Sequence, residues 1–290
     1  MNQEIHFFTG KGGVGKSIVA LTMAYKKAQA GKKVLLVELG DQSFYRDLLD
    51  LDEVGYAPIT LKPGLDLSLW TGADCLKEYA RHLLKLESLY RLFVENPISR
   101  SLIDIAPALP EIAIMGKITS GPRKHGPQMN YDCIVVDGYA TGHFLALVKA
   151  PYSMSQAVKF GPMGEQNRSI DRVLRDPSLC HYHIVTLPEE LPIKETEELF
   201  EELKSFLEIK SQIIINKILR TDLTAAQLKK LAKDNTSIGD FADYVTAVLE
   251  RQEEALVRID KIKTENTTLD LITETDPWTM VKELAQEISP

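Results

Sequence analysis

The chain has 290 residues, 44% hydrophobic and 26% charged, the balance of an ordinary soluble globular protein. Its formal net charge of -7 excludes a broad surface for phosphate backbones, so no nucleic-acid partner is expected. The three cysteines, Cys75, Cys133 and Cys180, stand far apart without a C-x-x-C pair, which supports neither a zinc site nor a disulfide framework; buried reduced thiols are expected.

The first residues lack the basic stretch and apolar core of a secretory leader, and no apolar run reaches the length of a membrane span. A cytoplasmic chain without an integral membrane segment is therefore expected. Residues 5–9 form a short apolar run rich in strand formers. Glycines follow, then a helix over 17–30 ended by Gly31. Residues 34–37 read as a strand buried on both faces, completing a strand–helix–strand unit. From Leu67 to Met129 the pattern changes. Leu76, Tyr79, Leu83, Leu86 and Tyr90 recur at helical spacing, Pro97, Pro107 and Pro110 interrupt the run, and residues 116–127 read as a flexible loop.

The strand rhythm then returns. Residues 133–136 form an apolar strand ending at Asp137, with a helix expected over 142–149. Residues 183–187 and 213–217 read as strands around a helix over 192–207, whose Leu199, Leu203, Phe206 and Leu207 share a stripe. A second helical stretch covers about residues 223–262, and a strand at 269–272 precedes a helix beginning at Pro277. This alternation predicts an α/β fold: a doubly wound, mostly parallel sheet flanked by helices. One domain over residues 1–290 is expected, with helical insertions at 67–129 and 220–262.

Gly10-Lys11-Gly12-Gly13-Val14-Gly15-Lys16-Ser17 lies between the first strand and the first helix, the context in which G-x-x-x-x-G-K-[ST] cradles phosphate. Glycines let successive N–H groups face phosphate oxygens, and the helix N-terminus adds its positive dipole end. Lys16 is suited to neutralise β- and γ-phosphate charge and the Ser17 hydroxyl to ligate Mg²⁺. ATP and Mg²⁺ are thus the expected cofactors, with Gly12, Gly13, Val14, Gly15, Lys16, Ser17 and Ile18 forming the binding segment. Asp137, at a strand end, can hold a water on that metal; its other use is to cap the following helix.

Two strings carry a family resemblance. Lys11-Gly12-Gly13-Val14-Gly15-Lys16-Ser17 resembles the deviant P-loop KGGxGK[ST], and Asp137-Gly138-Tyr139-Ala140-Thr141-Gly142-His143 resembles the DTAPTGH segment of the ArsA-like and guided-entry targeting ATPases. The resemblance implies a dimeric ATPase that couples ATP binding and hydrolysis to dimer closure and to binding a partner or client. It implies that Lys11 reaches the nucleotide of the opposite subunit, that the segment ending at His143 senses nucleotide state, and that Asn216 and Lys217 mark the adenine-recognising position. The partner would be a second copy or a related ATPase.

The departures are specific. Where the family carries a catalytic aspartate after the second strand, this chain has Gly40; Glu38 and Asp41 are the available substitutes beside Lys11, Lys16 and Asp137. An alternative reading is therefore a nucleotide-binding regulatory subunit with weak or no hydrolysis, paired with a sister ATPase. The absent C-x-x-C pair and the scattered methionines do not support a tail-anchored client, and the separated thiols disfavour an arsenite site. A positioning ATPase of the MinD or ParA kind is disfavoured because the last helix lacks a basic face and the chain is acidic. Apolar residues Leu83, Leu86, Tyr90, Leu92 and Phe93, with Met154, Val158 and Phe160, are the candidates for a client groove, if they are not simply core.

Overall fold

The computed structural model describes residues 3–84, 108–233 and 237–288. Expectations resting on Leu86, Tyr90, Leu92, Phe93, Pro97 and Pro107, and on the side chain of Leu83, lie outside the described residues. Eight strands are described: β1 (Glu4–Gly10), β2 (Val34–Leu39), β3 (Ile59–Lys62), β4 (Leu65–Trp70), β5 (Cys133–Ala140), β6 (Cys180–Thr186), β7 (Gln212–Ile218) and β8 (Asn266–Asp270). They form one sheet in the order β3-β4-β2-β5-β1-β6-β7-β8. All neighbours run parallel except the β3–β4 pair at one edge. The fold is thus α/β with a mostly parallel sheet.

The described helices are α1 (Lys16–Gln29), α2 (Phe44–Leu48), α3 (Gly72–Leu84), α4 (Leu109–Ile118), α5 (Ser120–Arg123), α6 (Thr141–Ala157), α7 (Gly161–Leu174), α8 (Glu190–Leu207), α9 (Ala225–Leu231), α10 (Ser237–Asp260) and α11 (Pro277–Glu287). Strand side chains alternate between two cores, as the period of two requires. Phe7, Leu35, Val37, Ile134 and Val136 pack with Phe144 and Leu147 of α6 and Leu203 of α8. Phe8, Val34, Leu36 and Val135 pack with Val19 and Met23 of α1 and Val281 of α11. Both faces being covered, the central strands must be apolar throughout, which is why their sequences show no alternation. The last helix lies across α1 and β8, and the Lys26 ammonium donates to the Ala285 carbonyl at 2.8 Å. Among the described residues no helix is long and apolar enough to cross a membrane.

Four expectations are corrected. Residues 67–70 belong to β4, so the helical segment starts after Trp70. The β3–β4 hairpin turns at Gly64 (φ +78), and as an edge pair with a half-exposed outer strand it carries little apolar signal. Residues 116–127 are not simply a loop: Gly116 lies inside α4, and α5 follows. Arg123 turns back to donate to the Gly116 carbonyl at 2.6 Å, so a basic residue there staples two helices. β5 continues three residues past Asp137 to Ala140. Finally, α6 runs from Thr141 to Ala157 through Pro151, well beyond residue 149.

Candidate nucleotide site

β1 sits mid-sheet, between β5 and β6, and the chain leaves it at the carboxyl ends of the strands. This is where open α/β sheets place ligands. A Cβ on Gly10 would lie 2.1 Å from the Val185 carbonyl oxygen of β6, so only glycine lets the chain turn there. Gly13 and Gly15 both have φ +86, and a Cβ on Gly12 or Gly13 would meet nothing within 4 Å, leaving open room beside the loop backbone. Gly15 is the N-cap of α1 and supplies no side-chain cap. The first N–H groups of α1 are therefore available to an anion.

Asn216 at the end of β7 is buried, and its Nδ2 donates to the Val14 carbonyl at 2.9 Å. A Cβ on Gly15 would approach that amide within 2.4 Å, so the two residues fit only as a pair. Asn216 thus holds the loop itself. It also lines, with Lys217, a cavity of about 540 Å³ above Gly12, Gly13, Gly15, Lys16 and Ser17, a size typical of small-ligand sites. The same cavity is walled by Ile18, already expected in the binding segment, and by Leu271, Ile272 and Met280, an apolar side with no signal in the sequence.

Beneath the loop lies a charged cluster. The Lys16 ammonium donates to Asp137 Oδ1 at 2.7 Å, and Asp137 is only 4% exposed. The fully buried Tyr45 hydroxyl lies 2.8 Å from the Ser17 carbonyl and 3.0 Å from Asp137 Oδ2, its one proton shared between two acceptors. Burial, with Asp137 and Glu38 nearby, raises the Tyr45 pKa well above its ordinary value, so the phenol stays a donor. Nothing in the sequence singled out Tyr45; its one signal is an aromatic residue in a helix that follows the second strand.

Strand register places Glu38 beside Asp137. Two buried carboxylates on adjacent strands would repel, and each is compensated separately. Glu38 Oε2 accepts from Ser43 Oγ at 2.5 Å and Oε1 from the Phe44 amide at 2.6 Å, so Glu38 anchors the start of α2. Burial raises its carboxyl pKa, those two hydrogen bonds opposing the shift. Both oxygens are occupied, unlike those of a free base. Asp41 is exposed just beyond Gly40.

Gly138 stands where the resembling segment has threonine. A Cβ there would lie 2.9 Å from the Phe8 carbonyl and 3.1 Å from the Phe144 ring, so the close β1–β5 approach requires glycine. Tyr139 meets the exposed His143 ring edge-on, with centroids 5.8 Å apart. Lys11, about one-third exposed, forms an ion pair with Glu195 of α8 at 2.7 Å. Of the proposed groove, Met154 and Val158 are half-buried while Phe160 is 88% exposed beside the exposed Met163. The Ser17 hydroxyl and the Asp137 carboxylate are hard oxygen donors, a set that suits Mg²⁺.

The chain matches the family model described as "Anion-transporting ATPase" over residues 3–162 and 157–269. It is 30% identical over 254 residues to the ATPase BagA of Mycobacterium tuberculosis, covering 85% of this chain and 73% of that protein. It is 27% identical to the arsenical pump-driving ATPase of Escherichia coli, over 87% of this chain and 43% of that protein. The arsenical pump-driving ATPase of Acidiphilium multivorum is 29% identical, over 73% of this chain and 39% of the relative.

Proposed function

The chain belongs to the anion-transporting ATPase family and is an ATP-binding P-loop ATPase; from that premise we propose that it is an ATP-driven dimeric switch whose closed form presents a surface to a protein client. The observation that carries the reading is the Lys16–Asp137 pair at 2.7 Å beneath an open glycine loop. Lys16 would exchange Asp137 for the β- and γ-phosphates of a bound nucleotide; Ser17, and Asp137 through a water, would then hold Mg²⁺. Mg²⁺, when bound, would supply neutralisation of phosphate charge. Tyr45 keeps Asp137 oriented throughout. The apolar wall of Ile18, Leu271, Ile272 and Met280 receives the base, with Asn216 and Lys217 at its edge.

Lys11 is the dimer element of this reading. Its pair with Glu195 is partly exposed and is worth no more than about 1 kcal/mol, so releasing it toward a partner's nucleotide costs little. Exposed Phe160 and Met163 at the start of α7 are offered as part of the client surface.

For hydrolysis, Asp41 is the better candidate to position water, because Glu38 is committed to Ser43 and Phe44. That commitment, with Gly40 in place of an acid, favours a second reading: a regulatory subunit that binds MgATP and turns it over slowly. Calorimetry with MgATP and a phosphate-release assay separate the two. Magnesium-dependent turnover that disappears in Asp137→Ala and falls sharply in Asp41→Asn supports the switch. Tight binding without turnover supports the regulatory subunit. Absence of MgATP uptake by the folded chain overturns both.

A further inference from the structure

At the opposite pole of the sheet, where the parallel strands begin, lies a second chemical cluster. Glu4 and His6 share a face of β1, two residues apart. Register sets Glu4 beside Cys133 of β5 and His6 beside His181 of β6. One donor atom each from Glu4, His6 and Cys133 falls within 4.8 Å of the other two. The three come from strands far apart in the chain, so no ligand spacing is visible in the sequence.

A hydrogen-bond relay fixes the His6 tautomer. Gln212 Nε2 points to Thr267 Oγ1 at 3.2 Å and to Glu265 Oε1 at 3.4 Å, which turns its Oε1 toward His183. His183 Nδ1 therefore donates to Gln212 Oε1 at 2.7 Å, leaving His183 Nε2 as an acceptor. His6 Nδ1 donates to it at 3.0 Å. His6 Nε2 is left as a bare lone pair. The residue is only 4% exposed, and Nε2 has no hydrogen-bond partner; Glu4 Oε2 lies 3.6 Å from it. A lone pair facing a carboxylate beside a thiol is an arrangement that a cation would convert into ligation. A ligating imidazole that donates its other N–H to a fixed acceptor has the outer support that metal-bound histidines show.

We propose that Glu4, His6 and Cys133 bind one divalent metal of the zinc class, joining β1 to β5 at the strand-start pole. The donor set of carboxylate, imidazole and thiolate suits Zn²⁺ and not Mg²⁺ or Ca²⁺. With metal–ligand bonds of about 2.0–2.3 Å, the three donors close in by roughly 1 Å to form a tetrahedral face. Glu4 and His6 line a cavity of about 490 Å³ together with His181 and His183, with the buried Cys133 behind them. The Cys133 proton leaves to solvent as the metal enters. Lys27 and Lys32, at 3.2 and 2.7 Å from the two Glu4 oxygens, are that carboxylate's other partners.

The test is titration of the chelator-treated full chain with Co²⁺. A near-ultraviolet thiolate-to-cobalt band saturating at one equivalent, and bleached by Zn²⁺, is expected. It should vanish in Cys133→Ser and persist in Cys75→Ser and Cys180→Ser, circular dichroism showing each variant folded. Glu4→Gln, at the partly exposed edge of the site, folds independently of that core position and should weaken Co²⁺ binding on the order of tenfold or more. No band at saturating Co²⁺, a band undiminished in Cys133→Ser, or unchanged affinity in Glu4→Gln overturns the proposal.

Discussion

The Tyr45 hydroxyl is the kind of group whose removal reads out cleanly, because it is fully buried and its two acceptors, the Ser17 carbonyl and Asp137 Oδ2, stay behind. Tyr45→Phe keeps the ring packed but leaves a buried carboxylate oxygen short of a donor, costing about 1–2 kcal/mol in urea unfolding. Glu38 gives a pH signature. Burial raises its folded-state pKa, so the folded chain holds that proton more tightly than the unfolded chain. The stability it contributes is complete below the unfolded carboxylate value and is lost as pH rises through the raised folded value. Glu38→Gln has no proton to lose, so its urea midpoint should fall less than the wild type's as pH climbs through that window. An identical slope in the two proteins would show that Glu38 is not the source. The phosphate-loop string was legible in the sequence because its glycines, Lys16 and Ser17 are contiguous. The jobs of Tyr45, Glu38 and Asn216 were not, because their partners sit on other strands.

At the scale of elements, the loop and the tip of β7 behave as one part. Asn216→Ala removes the amide that holds the Val14 carbonyl and opens space beside Gly15. Loss of a buried hydrogen bond of about 1 kcal/mol should weaken MgATP binding roughly fivefold, measured by calorimetry, with the fold retained. Gly10→Ala is harsher, since the new Cβ would sit 2.1 Å from the Val185 carbonyl at a φ of +145. The β1–β6 seam must open, and a loss of about 2–4 kcal/mol is expected in denaturant melts. Elements with a full apolar run or stripe, such as β1, α1, β2 and α8, were legible in the sequence. The β3–β4 hairpin was not, because a half-exposed edge strand lacks that run, and residues 116–127 misled because glycine and proline mark turns only when tertiary contacts do not override them. Arg123 supplies such a contact by reaching the Gly116 carbonyl.

For the whole molecule, the pair between Lys11 and Glu195 links the nucleotide loop to α8. On the dimeric reading, Lys11→Ala should leave MgATP affinity within about twofold, since a partly exposed pair contributes little. It should weaken ATP-driven association on the order of tenfold in sedimentation velocity. Equal association by mutant and wild type would remove Lys11 from the interface. The sequence by itself determined the α/β rhythm and the phosphate loop, since both depend on contiguous residues: hydrophobic runs set the strands, and glycines followed by Lys16 and Ser17 set the cradle. Only the tertiary structure decided that Asn216 grips the loop, that Glu38 serves α2, and that Glu4, His6 and Cys133 converge. Those outcomes depend on strand order and register, which arise from burying two apolar faces at once and leave no local trace in the chain.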